Sequence, residues 1–165
     1  MKGRLSKYHF FQALVIPILF GLMGNSHSVH AMNIDSLRNA IGAHRAQENK
    51  RSLIIAYKTL GDHYQSQFDN KSAVEQFEMA LALAKELRLE VEIFHLLNEI
   101  GHAYFWQDNY RAALDYLLQA NKMSKGEIDE QTQSKNLSYI AEVYMSLGNY
   151  RQALYYQLEA LDLSK

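Results

Sequence analysis

The chain has 165 residues, 48% of them hydrophobic, with 17 basic and 18 acidic side chains, one proline and no cysteine. The lack of cysteine excludes disulfides, thiolate catalysis and cysteine-ligated zinc, and the formal charge of −1 gives no indication of a nucleic-acid-binding or polybasic membrane-binding protein. A single proline and only eight glycines favour long helices over strands and turns, within one domain of ordinary size.

The first 31 residues have the layout of a secretory signal peptide. Three basic side chains precede a mainly apolar run over residues 10–23, and a small and polar segment follows it. We predict cleavage before Met32. Cleavage removes those three basic side chains and no acidic one, and so leaves 14 basic and 18 acidic side chains. The alternative is an uncleaved membrane anchor, but a helix of this run would span only about 21 Å, less than the roughly 30 Å of a bilayer core. The sequence therefore predicts an exported protein, periplasmic or secreted, without membrane insertion after cleavage.

Residues 32–50 are predicted to form one amphipathic helix. Apolar residues recur there at spacings of three and four, at Ile34, Leu37, Ala40 and Ile41. The helix has no repeat partner before it, and we expect it to cover the apolar end of the stack formed by the repeats that follow.

The remainder of the chain repeats one unit of two helices three times, over residues 51–88, 89–128 and 129–165. A shift of 40 residues brings small residues onto small ones and tyrosine onto tyrosine: Gly61, Gly101 and Ala141; Ala73, Ala113 and Ala153; Ala80, Ala120 and Ala160; and Tyr64, Tyr104 and Tyr144. A residue that can cap a helix also recurs at each internal turn, as Asp69, Asn109 and Asn149. The period and the caps agree on an all-α fold of helical hairpins.

The order of residues within each unit resembles tetratricopeptide repeats. The shared pattern is L-G-x2-Y, a small residue nine positions later, an aromatic residue four after that, and an alanine a further three on. The first unit fits it fully: Leu60, Gly61, Tyr64, Ala73, Phe77 and Ala80. The other two units have Leu117 and Gln157 in place of the aromatic residue, and lysine replaces the terminal proline in all three. The period of 40 exceeds the usual value of about 34, as in the longer tetratricopeptide variants of bacterial sensor proteins.

The resemblance implies a right-handed superhelix, a helical-hairpin solenoid, with a concave side on which such repeats usually bind a peptide or protein segment. If the first helix of each repeat lines that side, the candidate groove residues are Lys58, Asp62 and Gln65; His95, Asn98, His102, Phe105 and Trp106; and Lys135, Ser138, Glu142 and Met145. Trp106 is either an anchor for a partner or a packing residue beside the next turn. A well-known mode of the family clamps a terminal carboxylate with lysine and asparagine, but Asp62 stands at the position of that asparagine and would repel a carboxylate.

Candidate chemical groups are few. His95, Glu99 and His102 fall at i, i+4 and i+7 on one helical face, a spacing that could present metal ligands, but no fourth ligand is evident and a solvated face is the simpler interpretation. No nucleophile motif, phosphate-binding glycine loop or dinucleotide fingerprint occurs in the sequence. The eleven tyrosines could stack nucleic-acid bases, but three of them hold packing positions of the repeat. The sequence therefore predicts no enzyme, no metal, no cofactor and no nucleic-acid partner.

Two functions agree with this interpretation. The first is an exported adaptor that binds a peptide or protein segment in its groove. The alternative is the N-terminal sensory portion of a bacterial signalling protein, a histidine kinase or diguanylate cyclase, whose membrane and enzymatic parts are absent from this chain. A third expectation is self-association through the open C-terminal repeat, because no later helix covers Leu154, Leu158 and Leu161.

Overall fold

The computed structural model describes residues 34–123, 126 and 128–163. The predicted signal peptide, residues 1–31, and its cleavage point before Met32 lie outside these residues. The described part contains seven α-helices and no strand: α1 (Ile34–Ala46), α2 (Lys50–Ser66), α3 (Asn70–Glu86), α4 (Glu90–Phe105), α5 (Tyr110–Asn121), α6 (Glu130–Ser146) and α7 (Tyr150–Leu163). None of these described helices is both long and apolar enough to cross a membrane.

Consecutive helices pack side by side. α2 packs on α3, α4 on α5 and α6 on α7 as hairpins, and contacts of α3 with α4 and of α5 with α6 join the hairpins into a stack. α1 packs on α2 at one end. This is an all-α helical-hairpin repeat fold, and the predicted fold class is confirmed.

Glycine lets the two helices of the first and second hairpins approach closely. A Cβ atom added to Gly61 would lie 2.4 Å from Phe77 Cε1, and one added to Gly101 would lie 2.6 Å from Leu117 Cγ. Phe77 and Leu117 are both fully buried, so neither side chain can move aside into solvent. The small residue is therefore required by the short distance between the helices.

The recurring tyrosines pack between helices. Tyr104 stacks on Tyr116, and Tyr144 stacks on Tyr156, each pair with ring centroids 5.6 Å apart. Tyr64, the equivalent residue of the first hairpin, is partly buried against the core. The prediction that these tyrosines serve packing is confirmed.

Within the described residues, five connections between helices are three-residue turns of one geometry. Their middle residues all have positive φ and are spaced by multiples of 20 positions: Glu48, Phe68, Arg88, Asp108 and Gly148. In the turn at Phe68, the Asp69 amide donates to the Tyr64 carbonyl at 3.0 Å and closes the end of α2. The Asp69 carboxylate then accepts from the Ser72 amide at 3.1 Å and caps α3. The predicted caps are confirmed at all three internal turns: Asp69, Asn109 and Asn149.

The helix α1 has the phase of the second helix of a hairpin. A shift of 40 residues places Leu37 on Phe77 and Leu117, and all three side chains are buried. The turn after α1, at Glu48, also has the geometry of the turn after α3, at Arg88. The sequence pattern predicts a helix here but marks this phase only weakly, because Ala40 aligns with Ala80 whereas Asn33 stands where the later repeats have Ala73, Ala113 and Ala153.

Candidate functional site

The first helices of the three hairpins, α2, α4 and α6, lie next to one another and form a surface that we call the first-helix wall. Gln65 Nε2 of α2 lies 3.3 Å from His102 Nδ1 of α4. The His102 ring stacks on Tyr139 of α6, with centroids 4.6 Å apart. The structure thus brings together side chains of all three repeats, including Gln65 and His102, which the sequence analysis had placed in the groove.

His102 is the centre of the first-helix wall. The Trp106 indole N–H donates to His102 Nε2 at 2.9 Å, with the two rings edge to face. Burial lowers the pKa of His102, and Lys135 lowers it further, so the imidazole is neutral at pH 7. Because Nε2 accepts from Trp106, the single ring proton of neutral His102 lies on Nδ1, the nitrogen that faces the Gln65 carboxamide. Neutral His102 therefore holds Trp106 in a fixed orientation, with 55% of the tryptophan exposed.

Asn98 lies inside the wall rather than on its surface. Helical spacing predicts this side chain in the groove, but it is only 7% exposed, and its amide donates to the Phe94 carbonyl at 2.8 Å. The Asn136 amide of α6 donates to Asn98 Oδ1 at 2.7 Å and to the Leu117 carbonyl at 3.0 Å. Asn98 and Asn136 therefore hold α4 against α6 through a buried polar contact.

The charged residues of the wall are partly paired. Lys58 Nζ lies 3.3 Å from the Asp62 carboxylate one turn later. Lys135 Nζ lies over the Tyr139 ring, 5.4 Å from its centroid. Burial raises the pKa of Glu99, which lies on the same face of α4 as His102. This carboxyl group is thus partly withdrawn from water in the middle of the wall.

An apolar cavity of about 460 Å³ lies between α2 and α4. Its lining consists of Ile54, Ile55, Lys58, Thr59, Val91, Glu92, His95 and Leu96. Lys58 and His95 are among the residues predicted from the sequence, whereas Ile55, which is 67% exposed, is not. A shift of 40 residues aligns Ile55 with His95 and Lys135, so continuing the predicted set by one turn of α2 would have identified it.

The remaining predicted residues lie along α4 and α6. Phe105 is half-buried and packs against Trp106, with ring centroids 5.7 Å apart. Ser138 is half-buried, whereas Glu142 and Met145 lie at the surface. Partial burial nevertheless raises the pKa of Glu142. Trp106 thus both contacts a neighbouring ring and offers an open face.

The histidines of α4 do not form a metal centre with their neighbours. In the described part of the chain, no group of three or more His, Asp or Glu side chains could hold a metal ion. Both ring nitrogens of His102 are already engaged, with Trp106 and Gln65. The chemistry available on the wall is therefore hydrogen bonding, ring contact and apolar burial.

Comparisons with known proteins identify the repeats. A family model described as "Tetratricopeptide repeat" matches residues 95–125 and 137–165. The tetratricopeptide domain of Arabidopsis FLU is a similar solved structure, with 23% identity and a TM-score of 0.65 over 68% of this chain and 95% of that one. Similar folds occur in BtubC from P. vanneervenii, with 14% identity and a TM-score of 0.72 over 79% of this chain and 55% of that one. They also occur in tetratricopeptide-like repeats of a putative kinesin light chain from Podosopora anserina. The identity is 17% and the TM-score is 0.57, over 85% of this chain and 79% of that one. No curated protein matches the chain in sequence.

The matched residues cover most of the second and third hairpins, which contain the close crossing at Gly101, the stacked tyrosines and two of the helix caps. The first hairpin has the same crossing at Gly61 and the same turn geometry. The sequence pattern, the family match over two of the three hairpins and the similar structures agree that these helical hairpins have the tetratricopeptide repeat fold.

Proposed function

We propose that the first-helix wall binds a short peptide segment of a partner protein. The tetratricopeptide fold is that of a protein–protein interaction module and is generally a non-catalytic scaffold, so we propose no enzymatic activity. The observation that carries the proposal is that one face of α4 joins an apolar cavity to an exposed tryptophan held in place by hydrogen bonding. His95 lines the cavity at one end of this face, and Trp106 lies at the other end.

The length of this face sets the size of the segment. His95 and Trp106 are eleven positions apart, which corresponds to about 16 Å along a helix. An extended chain of about five residues covers that distance, at roughly 3.3 Å per residue. We expect one apolar side chain of the segment to enter the cavity beside Ile55, and another to pack on Trp106.

The partner gains affinity because the wall is pre-organised. Trp106 is oriented by His102, so little side-chain freedom is lost when a ligand covers the ring. Glu99 lies between the two ends with a raised pKa and favours a donor group of the ligand, such as a backbone amide or a basic side chain. Exposed tryptophans are frequent anchors of protein interfaces.

Trp106 also provides the measurement, because it is the only tryptophan in the chain. Peptides selected from a displayed random library on the purified protein should change its fluorescence on binding. We expect Trp106→Ala and Ile55→Asp each to weaken the selected peptides by about 30-fold, which corresponds to an anchor of about 2 kcal/mol. Met79→Asp, at an exposed apolar position of α3, is the control and should leave affinity unchanged. Selected peptides that bind both wall variants as tightly as the parent would refute this site.

We further propose that the protein works outside the cytoplasm. The layout of residues 1–31 supports export, and a fusion to a reporter enzyme that is active only after export tests it. Activity that persists after deletion of the apolar run 10–23 would contradict export by this segment.

The alternative role is the sensory input region of a histidine kinase or diguanylate cyclase. The 40-residue period, longer than the usual repeat, supports this alternative. Sequencing of the gene past the codon for Lys165 tests it, since the alternative requires an apolar stretch of about 20 residues followed by an enzymatic domain. A stop codon directly after Lys165 would eliminate it.

A further inference from the structure

The last helix, α7, exposes a row of large apolar side chains. Tyr150, Leu154, Leu158 and Leu161 follow one another at spacings of four, four and three and are 71%, 60%, 56% and 56% exposed. These spacings place all four on one face of a helix. A different face of α7 packs against the core, and Ala153 and Ala160 are buried on it. We call the exposed set the α7 row.

The repeat itself shows that this position is normally covered by a helix. A shift of 40 residues places Leu154 and Leu158 on Leu114 and Leu118 of α5, and both of these pack into the cluster that contains Ile140 of α6. In the first hairpin, the residue equivalent to Leu154 is Val74, which is buried where α3 meets α4. Within the described residues, no helix covers the α7 row.

The charges beside the row favour one arrangement of a covering helix. Arg151 and Asp162 lie eleven positions apart, and at 100° per residue both project beside the row on the same side. Arg151 is near the beginning of α7, and Asp162 is near its end. A second α7 in antiparallel orientation brings the basic end of each helix to the acidic end of the other. In a parallel two-fold pair the charged residues of the two copies lie on opposite flanks, so no Arg151 meets an Asp162 of the other copy.

We infer that two copies of this chain associate through the α7 row as an antiparallel, two-fold symmetric pair. Arg151 of each copy then faces Asp162 of the other, and Leu154 lies between Leu158 and Leu161 of the second copy. The symmetry is self-consistent because the same patch serves both copies. Large exposed apolar patches of this kind mark interaction sites. The α7 row is separate from the first-helix wall, so the inference does not depend on peptide binding.

Sedimentation of the purified chain over a range of concentrations tests the association. We expect a reversible dimer and expect Leu154→Glu or Leu158→Glu to raise its Kd by more than about 30-fold. Met79→Glu is the matched control, because Met79 is an exposed apolar residue of α3 and should leave the Kd unchanged. Circular dichroism checks that each variant keeps its helices. A chain that is monomeric at every concentration, or a dimer that survives both leucine variants, overturns the inference.

A charge exchange tests the antiparallel orientation. Arg151→Asp and Asp162→Arg should each raise the Kd by about 3- to 10-fold, because each places like charges together at both ends of the pair. The double variant restores opposite charges and should recover the parent Kd. A dimer that requires the leucines but gives no recovery in the double variant rejects this orientation, and a complex only with another protein's helix rejects the second copy as the occupant.

Discussion

Replacing Gly61 by alanine should destabilise the protein, although alanine is the better helix former. The added Cβ would lie 2.4, 2.6 and 2.9 Å from three atoms of the Phe77 ring. Carbon atoms pack at about 3.5 Å or more, so the ring or one helix must move by about 1 Å. Such overpacking costs about 1–3 kcal/mol, against a gain of about 1 kcal/mol in helix propensity. Because Phe77 is fully buried, we expect a cost at the upper end of that range. After the gain in helix propensity, the free energy of unfolding should fall by about 2 kcal/mol.

Urea unfolding followed by circular dichroism measures this change. Gly42→Ala is the matched control, since Gly42 lies in α1 and a Cβ atom there would have no neighbour within 4 Å. That variant should gain up to about 1 kcal/mol from helix propensity. If Gly61→Ala proves as stable as Gly42→Ala, the close crossing is not what requires glycine.

A double-mutant cycle with Phe77→Ala separates the steric effect from other effects. Phe77→Ala alone should cost about 3–5 kcal/mol. In that background the clash is absent, so Gly61→Ala should become neutral or stabilising by up to about 1 kcal/mol. The third repeat already shows this compensation, because Ala141 replaces the glycine where the exposed Gln157 replaces the aromatic residue. An equal cost of Gly61→Ala in both backgrounds would contradict the argument.

Three further outcomes follow from the structure. Phe68→Gly should stabilise the fold by about 1 kcal/mol in urea unfolding, because Phe68 is exposed and has φ of 61°, whereas Gly148→Ala at the equivalent turn should lose about as much. Folded His102 has a pKa lowered from the ordinary value of 6.5, so the unfolded chain takes up this proton first and the free energy of unfolding should fall as pH falls below 6.5. Trp106 fluorescence of the folded protein should change only at the lower pH at which folded His102 itself becomes protonated. Neither effect should occur in His102→Phe. Asn136→Leu leaves the buried Asn98 Oδ1 without the Asn136 donor and removes one donor of the Leu117 carbonyl. It should cost about 1–3 kcal/mol in urea unfolding, and parent-like stability would contradict the buried contact.

The fold was predictable because its determinants are local and recur. The close crossing needs a small residue at Gly61 and Gly101, and each internal turn needs a capping side chain such as Asp69. Both requirements appear directly as residue types at fixed spacing. What the sequence did not show is that one turn geometry also joins successive hairpins. At Leu89 the turn has no side-chain cap, so the composition gives no signal there.

The first-helix wall was predictable only in part. Helical spacing places Lys58, Asn98 and Ser138 at equivalent positions, and the sequence analysis therefore assigned all three to the groove. The spacing does not say how far apart neighbouring first helices lie. α6 contacts α4 directly and buries Asn98 under Asn136, whereas a cavity opens between α2 and α4. That unequal separation depends on packing along the whole stack, so a pattern within one repeat cannot reveal it.

The two classes of position explain how one fold can carry a specific surface. Packing positions restrict the size of the side chain to what the facing residue leaves room for, because a gain or loss of one methyl group there costs about 1 kcal/mol. Exposed positions on the wall tolerate substitution within about 0.5 kcal/mol. The exposed row at Ile55, His95 and Lys135 accordingly differs in charge and chemistry from repeat to repeat, although the helices that carry it are equivalent. On the proposed function, recognition of a partner depends on differences between the repeats, whereas stability depends on what the repeats share.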